Sequence, residues 1–338
     1  MSLCFIIFFL LCILCLIDIK QQYYVGFFVV FILILFAGLR ENIDNDYETY
    51  KMMFDKISNG INVNIEPTFY YITYLINYLN SNITLLILFF SIIGVTLKCI
   101  AISKLTEFWL YSILVYFSYF YIIQEMTQIR VGVASAFILL SIKPLKQSNI
   151  FKFLALICIG TLFHYSTLFI LPLLFLNKNS ISKVFYYLIP LAYIIHFSPL
   201  NPLSILEYIP IESFSMKFET YKYLSDKQTV NPFGVWNIFR CVLCFLLLWK
   251  WEYFQSKNEY SVLLIKMYVL SVFLFLSFSK IPTFAFRISD LYAIVEVILI
   301  PFVLYILRDN EKKYGALIVF CTSFAMLLLS LFHINLLH

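Results

Sequence analysis

The amino-acid sequence predicts an all-α polytopic membrane protein, a single integral membrane domain over residues 1–338 with about 11–12 transmembrane helices. Hydrophobic residues make up 62% of the chain and charged residues 13%, whereas a soluble domain carries roughly 25% charged residues. The apolar residues also cluster into runs of about twenty, the length that crosses a bilayer as a helix. The net charge of +5 includes no block of like charges, so nucleic-acid binding is not expected.

Apolar runs of this kind divide the chain into expected spans. They lie near residues 3–18, 24–39, 83–102, 108–124, 127–143, 183–198, 236–250, 261–279, 287–307 and 314–333. The first run has the length of a signal-peptide core. We expect it to be retained, because it lacks a positive n-region and a small-residue cleavage site.

Residues 150–176 form an apolar stretch that is long for one crossing and short for two. His164, Tyr165 and Ser166 interrupt it, and Pro172 follows. We therefore expect a broken helix near residue 164. Membrane proteins tolerate such a break where it is buried in protein or lines a cavity.

Lysines and arginines in short loops predict the orientation. One side can collect Lys98, Lys104, Lys143, Lys146, Lys152, Lys178, Lys183, Lys250, Lys257, Lys266, Arg308, Lys312 and Lys313. We expect this side to be cytoplasmic. The two longest polar segments, about 40–82 and 199–235, then become extracytoplasmic loops. Because no soluble domain of useful size is apparent, a substrate would be met in the membrane, at its surface or in these loops.

The first candidate for chemistry is Arg40, where the apolar run 24–39 ends and a cluster of acidic residues begins. The simpler interpretation is a solvated helix end at which Arg40 reaches the lipid headgroups. The alternative is a guanidinium that Asp44 or Asp46 orients at the interface, where it can bind a phosphate. The residues alone leave both interpretations open.

Arg130 is the second candidate for chemistry. It lies at the start of a span that continues with the small residues Gly132, Ala134 and Ser135. Small residues allow helices to approach closely, and an ionisable group beside such a seam usually faces the interior of the bundle. An arginine that reaches the headgroups from a helix end is the alternative.

Two further arginines, Arg240 and Arg287, stand at expected outer span ends. Arg287 precedes Asp290 by one helical turn, so a local ion pair is the simpler interpretation. Glu296 lies deeper in the same span. An acid there is costly unless it is paired or hydrated, which predicts a helix–helix hydrogen bond or a polar pathway.

His164 stands at the expected break, beside Tyr165, Ser166 and Thr167. A single histidine is more often structural than catalytic. However, an imidazole titrates near neutrality and therefore suits proton transfer, and the helix is expected to break at this residue. His164 is thus a candidate for both roles.

The outer segment 199–235 contains aromatic residues interleaved with lysines, from Met216 to Leu224. Tyr221 and Lys222 suit the faces of sugars and the charge of a phosphate. The same pattern is equally typical of a helix that lies on the membrane surface.

Metal and cofactor chemistry finds no support in the sequence. The CxxC pairs Cys12/Cys15 and Cys241/Cys244 lie inside apolar runs, where small apolar residues are the simpler interpretation. No P-loop, GxSxG or HExxH motif appears, which disfavours ATP-driven transport and metallohydrolysis. We expect neither a metal nor another cofactor.

Together these segments resemble the EpsG family, a branch of the Wzy-type O-antigen and exopolysaccharide polymerases, over roughly residues 30–310. The family motif of an arginine, a Gly-x-Asp and a tyrosine is matched by Arg40, Asp46, Tyr47 and Tyr50, with Asp44 where glycine is expected. Further matches are Glu66-Pro67-Thr68-Phe69, Gln128-Ile129-Arg130, Phe163-His164-Tyr165-Ser166, and Arg287 with Ile300-Pro301.

The resemblance implies a GT-C-like polymerase at the outer, periplasmic face of a bacterial inner (plasma) membrane. Such enzymes transfer a growing glycan from undecaprenyl diphosphate onto a new lipid-linked oligosaccharide repeat, without a nucleotide sugar. The implied partners are undecaprenyl-diphosphate-linked oligosaccharides and the lipid bilayer, with a chain-length regulator as a further candidate. An O-antigen ligase-like glycosyltransferase and a lipid-linked oligosaccharide flippase are the alternatives. A flippase is expected to show inverted repeats with midplane cations in both halves.

The resemblance also assigns roles to the candidate residues. Charge develops on the leaving diphosphate, and fixed guanidinium groups in a poorly hydrated site stabilise it best; these would be Arg40, Arg130 and Arg287. His164 is the first candidate for the base that accepts the acceptor's proton, and Asp46 is the second. The expected glycan-binding residues are Tyr50, Gln128, Tyr221 and Lys222.

Overall fold

The structure, a computed structural model, describes residues 2–16, 19–40, 45–79, 82–198 and 230–333. All regular secondary structure in these ranges is helical, which confirms the predicted all-α class. Tyr221 and Lys222 lie outside the described residues, as does most of the predicted outer loop 199–235.

The first part of the chain forms helices of very different lengths. They are α1 (Ser2–Cys15), α2 (Ile19–Gly38), α3 (Asn45–Ser58), α4 (Pro67–Tyr78), α5 (Ile83–Leu105), α6 (Trp109–Tyr116), a π-helix (Phe117–Glu125), α7 (Ile129–Lys146), α8 (Ile150–Phe163) and a 3-10 helix (Tyr165–Phe175). Sequence signals mark several starts. Pro67 occupies the first turn of α4, and the Asn82 side chain accepts a hydrogen bond from Leu85 N at the start of α5, 3.4 Å away.

The second part of the chain continues with α9 (Val184–Phe197), α10 (Val235–Trp249), α11 (Trp251–Lys257), α12 (Ser261–Ser277), α13 (Pro282–Ala293), α14 (Glu296–Leu299), α15 (Val303–Ile306) and α16 (Lys312–His333). Short 3-10 turns cover Ile300–Phe302 and Asp309–Glu311.

Several helices are apolar enough to cross a membrane. Within the described residues, Ile83–Leu105 and Lys312–Phe332 pass on both length and composition, and a bent pair of consecutive helices raises the count to three. Apolar helices of 10–17 residues accompany them. The chain is a multi-pass membrane protein. The expected total of about 11–12 crossings stays a prediction.

The chain separates into two compact units, unit 1 (Met1–Leu171 and Glu296–His338) and unit 2 (Pro172–Val295). In unit 1, α5 packs against α2 and α7, and α7 packs against α8. In unit 2, α12 packs against α9, α10 and α13. The expected single domain is a prediction that these packing contacts do not test.

The helix in 150–176 breaks at His164, as expected. That residue is extended, with φ −155° and ψ 120°, and separates α8 from the 3-10 helix. Its carbonyl accepts hydrogen bonds from the backbone N–H of Thr167 at 3.1 Å and from its hydroxyl at 2.8 Å. The break therefore satisfies this carbonyl locally, as a membrane environment requires.

A hydrophobic cluster joins the predicted outer segment 40–82 to the ends of the long helices. It draws residues from α3, α4, α5, α7 and α8: Tyr50, Phe54, Ile57, Phe69, Ile76, Ile83, Leu86, Ile87, Phe90, Ile129, Val133, Ala134 and Phe163. Much of this outer segment is consequently folded as two helices, α3 and α4, held against the bundle of unit 1.

Candidate functional site

Glu66 is the acid at which three elements of unit 1 meet. It stands immediately before α4, and its side chain makes no capping hydrogen bond. One carboxylate oxygen forms an ion pair with Arg130 Nη1 on α7. The other lies 3.4 Å from Nδ1 of His164 at the helix break. A single carboxylate thus orients a guanidinium and an imidazole.

Burial differs sharply within this group. The Glu66 side chain is 6% exposed, whereas those of Arg130 and His164 are 22% and 20% exposed. The carboxylate is therefore largely desolvated, which strengthens its attraction for cationic groups. Arg130 and His164 retain surface that a ligand can contact.

The end of α8 is tied directly to the start of α4. Thr68 donates a hydrogen bond from its hydroxyl to the carbonyl of Leu162, 2.7 Å away. This contact lies two residues from both Glu66 and His164, so it limits how far the two can separate. Ser166 also approaches Nδ1 of His164, with its hydroxyl at 3.4 Å.

The geometry suggests which nitrogen of His164 would take up a proton. Nδ1 faces Glu66 and Ser166. The backbone N–H of Ser166 donates to Nδ1 at 3.5 Å in the tautomer whose Nδ1 is unprotonated. In the other tautomer the carboxylate stabilises the proton on Nδ1, and Nε2 is the basic nitrogen of the neutral ring. This is the arrangement that a general base requires.

Tyr50 lies close to other predicted site residues of unit 1. The Arg130 guanidinium carbon lies 5.6 Å from the ring centroid of Tyr50 and 5.8 Å from that of Phe69, a cation–π arrangement. Burial raises the pKa of Tyr50. The charges of Arg130 and Arg40 act to lower this pKa, and the charge of Asp46 acts to raise it. Tyr50 is therefore a neutral phenol that interacts electrostatically with Arg40, with Arg130 and with Asp46, the second candidate base.

Arg40 is only 4% exposed, so the simpler interpretation as a solvated helix end is wrong. Its Nη1 donates to the carbonyl of Glu125 at 2.5 Å and to that of Ala37 at 3.3 Å. Arg40 is directed into unit 1 instead of toward the headgroups. Its role in binding a diphosphate stays a prediction.

The remaining predicted residues occupy less defined positions. Asp46 is half-buried in the first turn of α3, and Gln128 is half-buried at the residue that precedes α7. Arg287 is exposed on α13 in unit 2. Its expected convergence with Arg40 and Arg130 stays a prediction.

Sequence reasoning missed a buried polar network in unit 1. Lys98 is fully buried on α5 and forms an ion pair with Glu125 Oε1. Its Nζ also donates to Gln124 Oε1 at 2.8 Å, which accepts a second bond from Ser135 Oγ at 2.7 Å. The Tyr116 hydroxyl donates to Glu125 Oε1 at 3.0 Å.

Two lysines assigned to cytoplasmic loops are consequently corrected. Lys98 lies within α5, which continues to Leu105, and it is buried beside Glu125. Lys266 lies in the second turn of α12 and is 1% exposed. Its Nζ donates to the carbonyl of Asn177 at 2.5 Å. A lysine near the end of an apolar run proved to be internal in both cases, because a polar partner was available.

Unit 2 contains its own buried cation. Arg240 on α10 is 6% exposed, and its Nη2 donates to Ser271 Oγ at 3.0 Å and to Ser289 Oγ at 3.5 Å. The guanidinium also lies 5.8 Å from the ring centroid of Tyr268. The prediction that Arg240 marks a span end is refined, because its side chain turns into unit 2.

No group of three histidine, cysteine or acidic side chains that could hold a metal ion occurs among the described residues. The cysteines there are free thiols, including the two CxxC pairs.

A model of the EpsG family matches residues 23–337, nearly the whole chain. The matched range contains the cluster around Glu66 and the buried network around Glu125. No match was found among curated proteins or among solved structures.

Proposed function

The chain belongs to the EpsG family, whose members point to a polysaccharide polymerase or glycosyltransferase-like role, and from that premise we propose that it elongates a glycan on a lipid carrier. The growing glycan would be transferred from undecaprenyl diphosphate onto a new lipid-linked oligosaccharide repeat at the outer face of a bacterial inner membrane. The donor carries its own leaving group, so no nucleotide sugar is required, and in this proposal arginines stabilise the charge of the diphosphate.

The proposed reaction makes two demands on the protein. The acceptor hydroxyl oxygen forms a bond to the anomeric carbon of the donor, and the bond from that carbon to the diphosphate oxygen breaks. The bonding electrons leave with undecaprenyl diphosphate, and the hydroxyl proton must pass to a base. The site therefore needs a fixed positive charge for the diphosphate and a proton acceptor for the hydroxyl.

The observation that carries the proposal is that Glu66 contacts both Arg130 and His164. Arg130 would bind the diphosphate, because a guanidinium offers planar hydrogen-bond donors and keeps its charge. His164 would accept the proton at Nε2. Glu66 would hold both groups in place and stabilise the imidazolium that forms.

The other predicted residues have supporting roles in this proposal. Arg40 and Arg287 would add positive charge for the diphosphate, and Asp46 is the second candidate base. Gln128 would contact the glycan, together with Tyr221 and Lys222. Tyr50 is 5% exposed and lies against Arg130, so a glycan would reach it only at the edge of the hydrophobic cluster. A chain-length regulator remains a proposed partner.

The carboxylate-supported histidine also bears on the competing functions. A flippase moves its substrate without breaking a bond, so it needs no base for an acceptor hydroxyl. Because proton-coupled transporters also use acids and histidines as relays, the contact between Glu66 and His164 supports transfer only together with the family. An O-antigen ligase-like enzyme would use the same chemistry and differs in its acceptor, which makes the products the discriminating observation.

Deleting the gene and separating the host's surface polysaccharide on a gel would test the proposal. A polymerase deletion leaves a single repeat unit attached, whereas a ligase deletion leaves none. Complementation with Arg130→Ala should reproduce the deletion. Complementation with Lys152→Ala, an exposed lysine on α8, should restore the ladder. Long-chain ladders in the deletion strain would refute the proposed function.

A further inference from the structure

The ion pair between Lys98 and Glu125 adjoins Arg40, because Arg40 binds the backbone carbonyl of Glu125. We propose that Glu125 is a positioning residue: its ion pair fixes the end of the π-helix, and through that end it holds Arg40 and the turn that leads to Arg130. The proposal rests on the proposed function, in which these two arginines bind the diphosphate.

Burying the charges of this network costs too much free energy for the network to be without a role. Lys98 and Glu125 are 0% and 1% exposed, and taking two charges out of water costs several kcal/mol per ion. Ionisable side chains inside a membrane bundle are rare and usually serve a function. Glu125 Oε1 accepts hydrogen bonds from Lys98 on α5 and from Tyr116, the residue that directly precedes the π-helix. The carboxylate at the end of the π-helix therefore connects its start to α5.

Two glycines enclose the carboxylate. A Cβ atom added at Gly94 on α5 would lie 2.5 Å from Glu125 Oε2, and one added at Gly132 on α7 would lie 2.8 Å away. Both distances are below van der Waals contact. The helices therefore approach the carboxylate so closely that a side chain at either position would have to displace it.

Arg40 depends on this fixed point. Its Nη1 donates to the backbone carbonyl of Glu125 at 2.5 Å, so a displacement of the Glu125 backbone displaces the guanidinium. The ion pair with Lys98 fixes the Glu125 side chain and thereby limits the movement of the carbonyl that Arg40 binds.

The same point controls the approach to Arg130. The π-helix ends at Glu125, and the chain reaches α7 through a short turn in which Gln128 N donates to the carbonyl of Ile123 at 3.1 Å. Wide helical turns of this kind occur often at functional sites. Because only four residues separate Glu125 from Arg130 in the sequence, the end of the π-helix determines where α7 begins.

A purely structural role for the ion pair would give a different result from a positioning role. Lys98→Met with Glu125→Gln replaces the pair by neutral side chains of similar size, so no unpaired charge is left buried. If the pair only stabilises the fold, this double variant should recover both stability and activity. If the pair positions Arg40, the double variant should recover stability and remain impaired.

Two measurements on the purified protein distinguish these results. The first is the rate at which phenylglyoxal modifies Arg40, followed by peptide mass spectrometry with the exposed Arg308 as internal reference. The second is the kcat for polymerisation of lipid-linked repeats per folded molecule. Lys104→Met with Glu107→Gln, which removes a lysine and an acid from exposed positions, is the matched control.

We expect the Lys98/Glu125 double variant to unfold at nearly the wild-type temperature. Its Arg40 should react about tenfold faster, which corresponds to about 1.4 kcal/mol of lost protection. Its kcat should fall about 10- to 100-fold, the effect of a misplacement of about 1 Å. Wild-type Arg40 reactivity in the folded double variant would overturn the proposal. Failure of the wild-type protein to polymerise would refute the proposed function alone. Faster modification of Arg40 in the double variant would still support the positioning role.

Discussion

Replacing Glu66 with glutamine tests the proposed site with little change to the rest of unit 1. Glutamine keeps the size of the side chain and an oxygen that can accept from Arg130. It removes the negative charge that faces both Arg130 and His164. The helix cap is not disturbed, because the Glu66 side chain makes no capping hydrogen bond to α4.

The expected loss of stability is small. A hydrogen bond to a charged group contributes about 1.5–3 kcal/mol and a neutral one about 0.5–1.5 kcal/mol. Arg130 and His164 are 22% and 20% exposed, and water weakens the difference at such positions. We therefore expect the free energy of unfolding to fall by about 1 kcal/mol.

The expected loss of activity is much larger. General acid–base catalysis contributes about 10²–10⁴-fold, and without the carboxylate the imidazolium of His164 would form unsupported. We expect kcat/KM of Glu66→Gln to fall about 100-fold, or about 2.7 kcal/mol of transition-state stabilisation.

The assay is the elongation of purified lipid-linked repeats by detergent-solubilised protein, normalised to the folded fraction. Glu107→Gln is the matched control, since Glu107 is an exposed acid in unit 1 and should keep wild-type activity. Wild-type kcat/KM for folded Glu66→Gln would refute the reasoning, because the carboxylate would then have no part in the reaction.

Four further substitutions test the neighbouring residues. His164→Gln should lower kcat about 10²–10⁴-fold, whereas Ser166→Ala should lower it less than about tenfold because its contact with Nδ1 is long at 3.4 Å; equal losses in the two variants would argue against the base. Arg130→Lys should lower kcat/KM about 10- to 100-fold, because lysine keeps the charge and loses the planar donors; unchanged kinetics would remove Arg130 from the diphosphate site. Gly160→Ala should destabilise the protein by about 1–3 kcal/mol in thermal unfolding, because its Cβ would lie 2.9 Å from a Thr167 methyl group, and an unchanged midpoint would contradict that packing.

The break at His164 could be predicted because polar residues interrupt an apolar run where the chain must still satisfy its backbone. Arg130 could be predicted because a charged residue at the start of a span is costly without a partner. The sequence could not identify the partner of Arg130, since Glu66 lies 64 residues away and immediately before another helix.

Glu66 did leave a signal. It is the only charged residue between Lys56 and Lys98, and it precedes a proline that starts a helix. A single acid in such a long uncharged stretch calls for a partner, but only the packing of α4 against α8 shows that this partner includes His164.

The buried network around Glu125 was beyond sequence reasoning for a different reason. Helical periodicity assumes about 3.6 residues per turn, and the π-helix Phe117–Glu125 departs from that value. The face on which Glu125 lies therefore cannot be read from spacing. Lys98 was misassigned for the same reason. Its burial depends on the Glu125 carboxylate, whose position cannot be predicted from helical periodicity.

The most direct test of the central claim is a reconstituted reaction that contains only the purified protein and undecaprenyl-diphosphate-linked repeats. We predict that the wild-type protein forms a ladder of longer glycans, with one undecaprenyl diphosphate released for each new linkage. His164→Gln and Glu66→Gln should form it at most about one hundredth as fast. A ladder that both variants form at the wild-type rate would contradict the account.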